Sequence, residues 1–90
     1  MEYVLKIVTE LLRRDDDDVW DSDISYSTIS GKVTIFDKDY KCKMTKKGLK
    51  IYLSLFKTIV VPFEGSYNWD FYYSENDHFY HSTDLYLVEN

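Results

Sequence analysis

The residues in this sequence that could do chemistry are few and widely spaced. His78 and His81 stand three apart beside Glu75, Asp77 and Asp84, and imidazoles near carboxylates invite a metal reading. On a strand, positions i and i+3 point to opposite faces, so the two rings share a coordination sphere only where a turn intervenes. No cysteine lies near them to extend a ligand set, and they read as a loop histidine and a sheet-surface histidine. Cys42 would need a base to act as a nucleophile, and neither histidine is close to it in sequence. It reads as a small buried hydrophobe. Gly31, Gly48 and Gly65 are isolated, which excludes a phosphate-cradling loop, and no G-x-S-x-G occurs. Asp70 and Glu75 could pair as acid and base, but nothing singles them out. No catalytic residue, metal site or cofactor is expected.

The most conspicuous run is Asp15, Asp16, Asp17 and Asp18, followed by Asp21 and Asp23. It does not match a calcium-binding loop, because the glycine at the sixth position and the glutamate at the twelfth are missing. Its meaning comes from the distribution of charge along the chain. Residues 1–31 carry −5, residues 32–63 carry +6 and residues 64–90 carry −6, for a net −5. The ends are acidic and the middle is basic, with six lysines at Lys38, Lys41, Lys43, Lys46, Lys47 and Lys50. A solvated lysine hairpin that keeps a sheet from pairing with other chains is the plainest use of that cluster. The functional use is steering, since a local field gathers oppositely charged partners.

Sixteen aromatic residues in ninety make a largely aromatic core necessary and leave some rings for contact surfaces. The single cysteine forbids an internal disulfide and fits a reducing compartment. The N-terminus lacks the pattern of a signal peptide, and no apolar run approaches the roughly 18 residues that span a bilayer. A cytoplasmic location, without membrane contact, follows as the expectation; for a virus-encoded chain this is the host cytoplasm. The starting methionine suggests a complete small gene product.

The elements that must position these residues are read from periodicity. Val4, Leu5, Val8, Leu11 and Leu12 fall at helical spacing, with Glu2, Lys6, Glu10, Arg13 and Arg14 opposite, and predict an amphipathic helix over 2–14. A strand would put Lys6 on the face of Val4 and Val8. The self-repelling stretch 15–23 reads as a solvated connector, and from residue 24 the period changes to two. Strands are expected at 32–36, 40–44, 49–56, 58–61, 67–73 and 79–88. Tyr40, Cys42 and Met44 should point inward, and a hairpin turn should end in a bulge at Gly48. The fold class is therefore α+β: one domain over 1–90, with helix 2–14 packed on an antiparallel sheet of five or six strands within 24–88.

With no catalytic constellation, the sequence reads as a non-enzymatic protein-binding module. A small phage- or plasmid-encoded inhibitor of a host nuclease or defence complex fits that description. Its expected partner is a basic, nucleic-acid-handling protein, met through Asp15, Asp16, Asp17, Asp18, Trp20, Asp21, Asp23, Trp69 and Tyr72, with the indole of Trp20 as an anchor. Two alternatives stand beside it. One is a homo-oligomer, such as a homodimer, pairing through the Tyr/Trp face of 67–73 or through an edge strand. The other is a nucleic-acid module in which the six hairpin lysines track phosphates while Tyr40 and Tyr52 stack on bases.

Overall fold

The computed structural model describes residues 2–69 and 78–90. Those residues form eight strands and no helix. One antiparallel sheet has the order β2 (Val19–Thr28), β1 (Tyr3–Arg13), β8 (Phe79–Glu89), β7 (Tyr67–Trp69). The other is a meander of β3 (Lys32–Ile35), β4 (Lys38–Thr45), β5 (Gly48–Tyr52) and β6 (Thr58–Pro62). The sheets pack face to face around a shared apolar cluster. Leu5, Ile7, Leu85, Leu87 and Trp69 come from the first sheet, and Val33, Ile35, Cys42, Leu49, Ile51, Ile59 and Val61 from the second. No helix long and apolar enough to cross a membrane occurs among the described residues.

The α+β expectation is overturned, because within the segment 2–14 residues Tyr3–Arg13 form a strand. Leu5 and Ile7 point into the core while Val4, Lys6 and Val8 share the outer face, the arrangement that had counted against a strand. Lys6 is accommodated there because its ammonium lies 5.7 Å from the centre of the Tyr86 ring, so the stem covers apolar surface while the charge stays wet. β1 sits between β2 and β8, and its outer face carries Val4 and Val8, both half-buried, beside Lys6. A V-L-x-I-V run of that kind satisfies helical spacing by coincidence.

The connector 15–23 is likewise shorter than expected. Only residues 14–18 form the turn, and Asp21 and Asp23 belong to β2. The turn is closed by Arg13 N–H donating to Asp18 O at 3.0 Å and Asp17 N–H donating to Arg13 O at 2.8 Å, with Asp17 at φ 55°.

Within the meander, Tyr40 and Cys42 face inward and Lys41 and Lys43 outward, as alternation requires. Met44 shares the inward register but is exposed at the end of its strand. The turn before β4 falls one residue earlier than expected, on Phe36 and Asp37, both with positive φ. Gly48 forms no bulge; it pairs with Thr45 and Pro62 within the ladders. Its absent side chain is required because a Cβ there would lie 2.0 Å from the Val61 carbonyl oxygen.

β5 ends at Tyr52, before its alternating pattern does. Leu53 and Ser54 both donate their N–H to Lys57 O, which closes a loop and leaves Leu55 and Phe56 95% and 98% exposed. Phe79, Leu85 and Leu87 share one face of β8 opposite Tyr80, Tyr86 and Val88, as alternation predicts. The second half of the expected strand 67–73 and most of the expected loop 74–78 lie outside the described residues.

Candidate protein-docking surface

The two sheets differ in strand length, and the difference creates the surface. β1 and β8 each run eleven residues, whereas the core is filled by Leu5 and Ile7 at one end of β1 and Leu85 and Leu87 at the matching end of β8. The first sheet therefore continues past the second as an arm tipped by the aspartate turn. β2 forms its edge, and nine of its ten residues are exposed.

Alternation sorts the side chains of β2. Asp21, Asp23, Ser25 and Ser27 lie on the core-side face, in register with Leu11, Thr9, Ile7 and Leu5. Ser22, Ile24, Tyr26 and Thr28 lie on the outer face beside Glu10, Val8, Lys6 and Val4. Ser27 anchors the strand, its hydroxyl oxygen accepting from Thr34 N–H at 2.9 Å where the two sheets meet. Ile24 and Tyr26, 51% and 61% exposed, have a neighbouring strand on one side only among the described residues.

A register shift between Leu11 and Leu12 leaves Trp20 as the extra residue of a bulge, which re-aims its side chain. The indole is 58% exposed, meets Phe79 edge-on at 5.5 Å and lies 5.6 Å from the Arg13 guanidinium. Arg13 also forms an ion pair with Asp16. The hydrogen bond from Arg13, with the Asp18 N–H, holds the Asp16 carboxyl below the usual carboxylate range, and the same bond to Asp16 raises the guanidinium further. Nearby, Tyr80 donates its hydroxyl to Asp17 Oδ1 at 2.7 Å and carries the Arg14 guanidinium 5.5 Å from its ring. The turn is thus held in shape by two arginines and two aromatic rings while its carboxylates face water.

The structure brings together Asp15, Asp16, Asp17, Asp18, Trp20, Asp21 and Asp23 on one arm. Trp69 is placed elsewhere: it is 8% exposed, and its ring meets Tyr40 at 6.1 Å, so it packs the core. Tyr72 lies outside the described residues. Ile24, Tyr26 and Arg13 also belong to the arm and were missed. The S-x-I-x-Y alternation from Ser22 to Tyr26 was the available signal, hidden by assigning residues 15–23 to a connector.

The lysines divide. Lys41, Lys43 and Lys50 lie on the outer face of the second sheet together with Lys32, and Lys50 sits 5.4 Å from the Tyr52 ring. Lys46 and Lys47 form the turn, while Lys38 is on the opposite face, 5.5 Å from the ring of Tyr40. Lys41 faces Lys32, and Lys43 faces Lys50, so like charges stand directly across the ladder. Asp39 relieves the first pair, 3.5 Å from the Lys32 ammonium.

Among the described residues no three His, Cys, Asp or Glu side chains converge as metal ligands. His81 lies opposite Leu11 on the core-side face, and His78 marks the bend before β8. Burial pushes the Cys42 thiol up, away from reactivity. A cavity of about 440 Å³ beside the arm is lined by Arg14, Asp17, Asn68, Trp69, Tyr80 and Ser82. No family model, curated protein or solved structure matches this chain.

Proposed function

We propose that the protein is a non-catalytic, cytoplasmic protein-binding module whose β1–β2 arm covers a basic surface on a nucleic-acid-handling protein. That action suits a phage- or plasmid-encoded inhibitor. The carrying observation is the edge strand β2, which presents Trp20, Ile24 and Tyr26 to solvent among six aspartates of the arm. Exposed aromatic and aliphatic side chains on an arm whose aspartates outnumber its arginines combine an anchor that sets the off-rate with a field that sets the on-rate. Among the described residues the ion pairs are Arg13–Asp16 within the arm and Lys32–Asp39 within the second sheet, so none ties the arm's aspartates to the hairpin lysines.

The test is affinity capture from the native host, followed by kinetics on the captured partner. Replacing Asp15, Asp16, Asp17 and Asp18 with asparagine should slow association at low salt by about tenfold, with a nearly unchanged thermal midpoint. Trp20→Ala should act on dissociation instead. An unaltered association rate at low salt defeats the reading.

A second reading rests on the outer face of the meander, where two lysine pairs stand across the ladder with Tyr52 beside them. Stored repulsion of that kind is relieved by a polyanion. A salt titration of oligonucleotide binding tests it: phosphate contacts give a steep logarithmic slope, and a flat one removes the reading.

A further inference from the structure

The exposed edge of β2 supports a more specific statement about the partner, one that rests on the docking reading above. We propose that β2 accepts an added strand from the partner, an extended segment in which basic residues alternate with apolar ones.

Among the described residues β2 is hydrogen-bonded along one side only, to β1, so alternate backbone groups on its other side face outward. Residues 19–26 make up most of the free edge, since Ser27 is tied to Thr34 at the corner between sheets. The edge carries a light guard: Asp21 Oδ1 accepts from the Ser22 N–H at 2.9 Å, a contact that an incoming carbonyl can replace.

The occupant follows from the side chains. In a paired strand, residues directly opposite share a face. A segment lying beside β2 therefore sets one alternate set of its residues next to Asp21 and Asp23 and the other next to Ile24 and Tyr26. The first set must be lysine or arginine and the second apolar or aromatic. A second copy of this chain fits poorly, because pairing β2 with itself brings Asp21 and Asp23 toward their own counterparts. Carboxylates that repel an identical edge attract a basic one. The added strand also supplies the missing neighbour of Ile24 and Tyr26, covering side chains that are now about half exposed.

The probe is a synthetic peptide of about nine residues alternating lysine with valine, followed by fluorescence anisotropy and by amide exchange of the protein. Alternate amides within 19–26 should gain protection on binding. Methylating one alternate set of peptide nitrogens should weaken binding by about tenfold or more, while methylating the other set leaves it unchanged, because only one set faces the protein. A scrambled peptide of the same composition should bind worse, and Asp21→Asn with Asp23→Asn should weaken binding and flatten its salt dependence. Equal binding by both methylated peptides, equal binding by the scrambled peptide, no binding at all, or a β2-paired dimer of the protein would each overturn the proposal. A failed peptide experiment combined with host-partner capture that still depends on Trp20 and the four turn aspartates would remove strand addition and leave the docking reading standing. Capture indifferent to those residues would remove the reading itself.

Discussion

The hairpin of β1 and β2 and the hairpin of β4 and β5 are built alike and serve opposite ends. Each joins two antiparallel strands through a turn in which one charge sign predominates, four aspartates in the first and two lysines in the second. In β4–β5 the inner face carries Cys42, Leu49 and Ile51 into the core, and charge lies on the outer face, in the turn and, at the strand's start, on Lys38. In β1–β2 the inner strand is anchored by Leu5 and Ile7, but the outer strand contributes only Ser27 to buried surface. The core accounts for the whole shape of β4–β5 and only the base of β1–β2. Nothing among the described residues of the chain accounts for an arm that holds Trp20, Ile24 and Tyr26 in water.

The sharpest way to test that contrast is to mutate both hairpins at matched positions. Leu49→Ala should lose about 2–5 kcal/mol, since a fully buried leucine leaves a cavity the sheets cannot close. Gly48→Ala should lose at least about 3 kcal/mol, because its Cβ would collide with the backbone of β6 at a φ of +142°. Ile24→Thr, a β-branched replacement on the exposed edge, should stay within about 0.5 kcal/mol. Denaturant unfolding of the three variants measures all of this. A loss of 2 kcal/mol or more at Ile24 would mean that the arm is part of the core, and the contrast would fail.

The same contrast explains which parts of the fold were legible in the sequence. The β4 pattern Tyr40-Lys41-Cys42-Lys43 alternates cleanly because one of its faces is dry and the other wet, and its register was readable without help. β1 was not readable, because its outer face carries Val4 and Val8 along with Lys6, so apolar residues stand on both faces and no clean alternation marks the strand. The alternation of Leu53 and Leu55 continued past the point where the chain leaves the sheet, since the two N–H donors converging on Lys57 O are invisible to periodicity. Gly48 was identified as special, but the Val61 carbonyl that makes it so is a contact across a second ladder. At the candidate site, the aspartates and Trp20 could be picked out by type. That Asp21 and Asp23 share one face of an edge strand, with Ile24 and Tyr26 on the other, required knowing that residues 19–23 are strand.

An intermediate effect is expected at Trp20. Trp20→Ala removes the edge-to-face pair with Phe79, a contact of about 1 kcal/mol, and also releases Arg13 from the indole. Because Phe79 pairs with Arg13 at the far end of β8, the loss should appear as faster amide exchange near the tip, with little change in the global midpoint. A large drop in the midpoint would show that the indole supports the fold, and its exposure would then say less about docking.

The smallest effect concerns acid, and it separates the hairpins by what each carboxylate ties together. Asp16 titrates below its ordinary value through Arg13 and the Asp18 N–H, and Asp39 does so through the Thr34 hydroxyl at 2.6 Å and then Lys32. For both, the folded value lies under the unfolded one. The stabilisation is therefore fully present above about pH 4 and is lost as pH falls through the folded values. Both groups are exposed, so the losses are modest. They should differ in kind. Asp39 bonds across the ladder from β4 to β3, where Thr34 is its direct partner, so Asp39→Asn should flatten the acid dependence of global unfolding. Asp16 closes a turn whose bonds stay within the arm, so Asp16→Asn should flatten the acid dependence of global unfolding less than Asp39→Asn does and act chiefly on the exchange of the Asp18 amide. If Asp16→Asn shifted the global midpoint as much as Asp39→Asn, the aspartate turn would be coupled to the core, and its carboxylates would be committed to folding before any partner arrived.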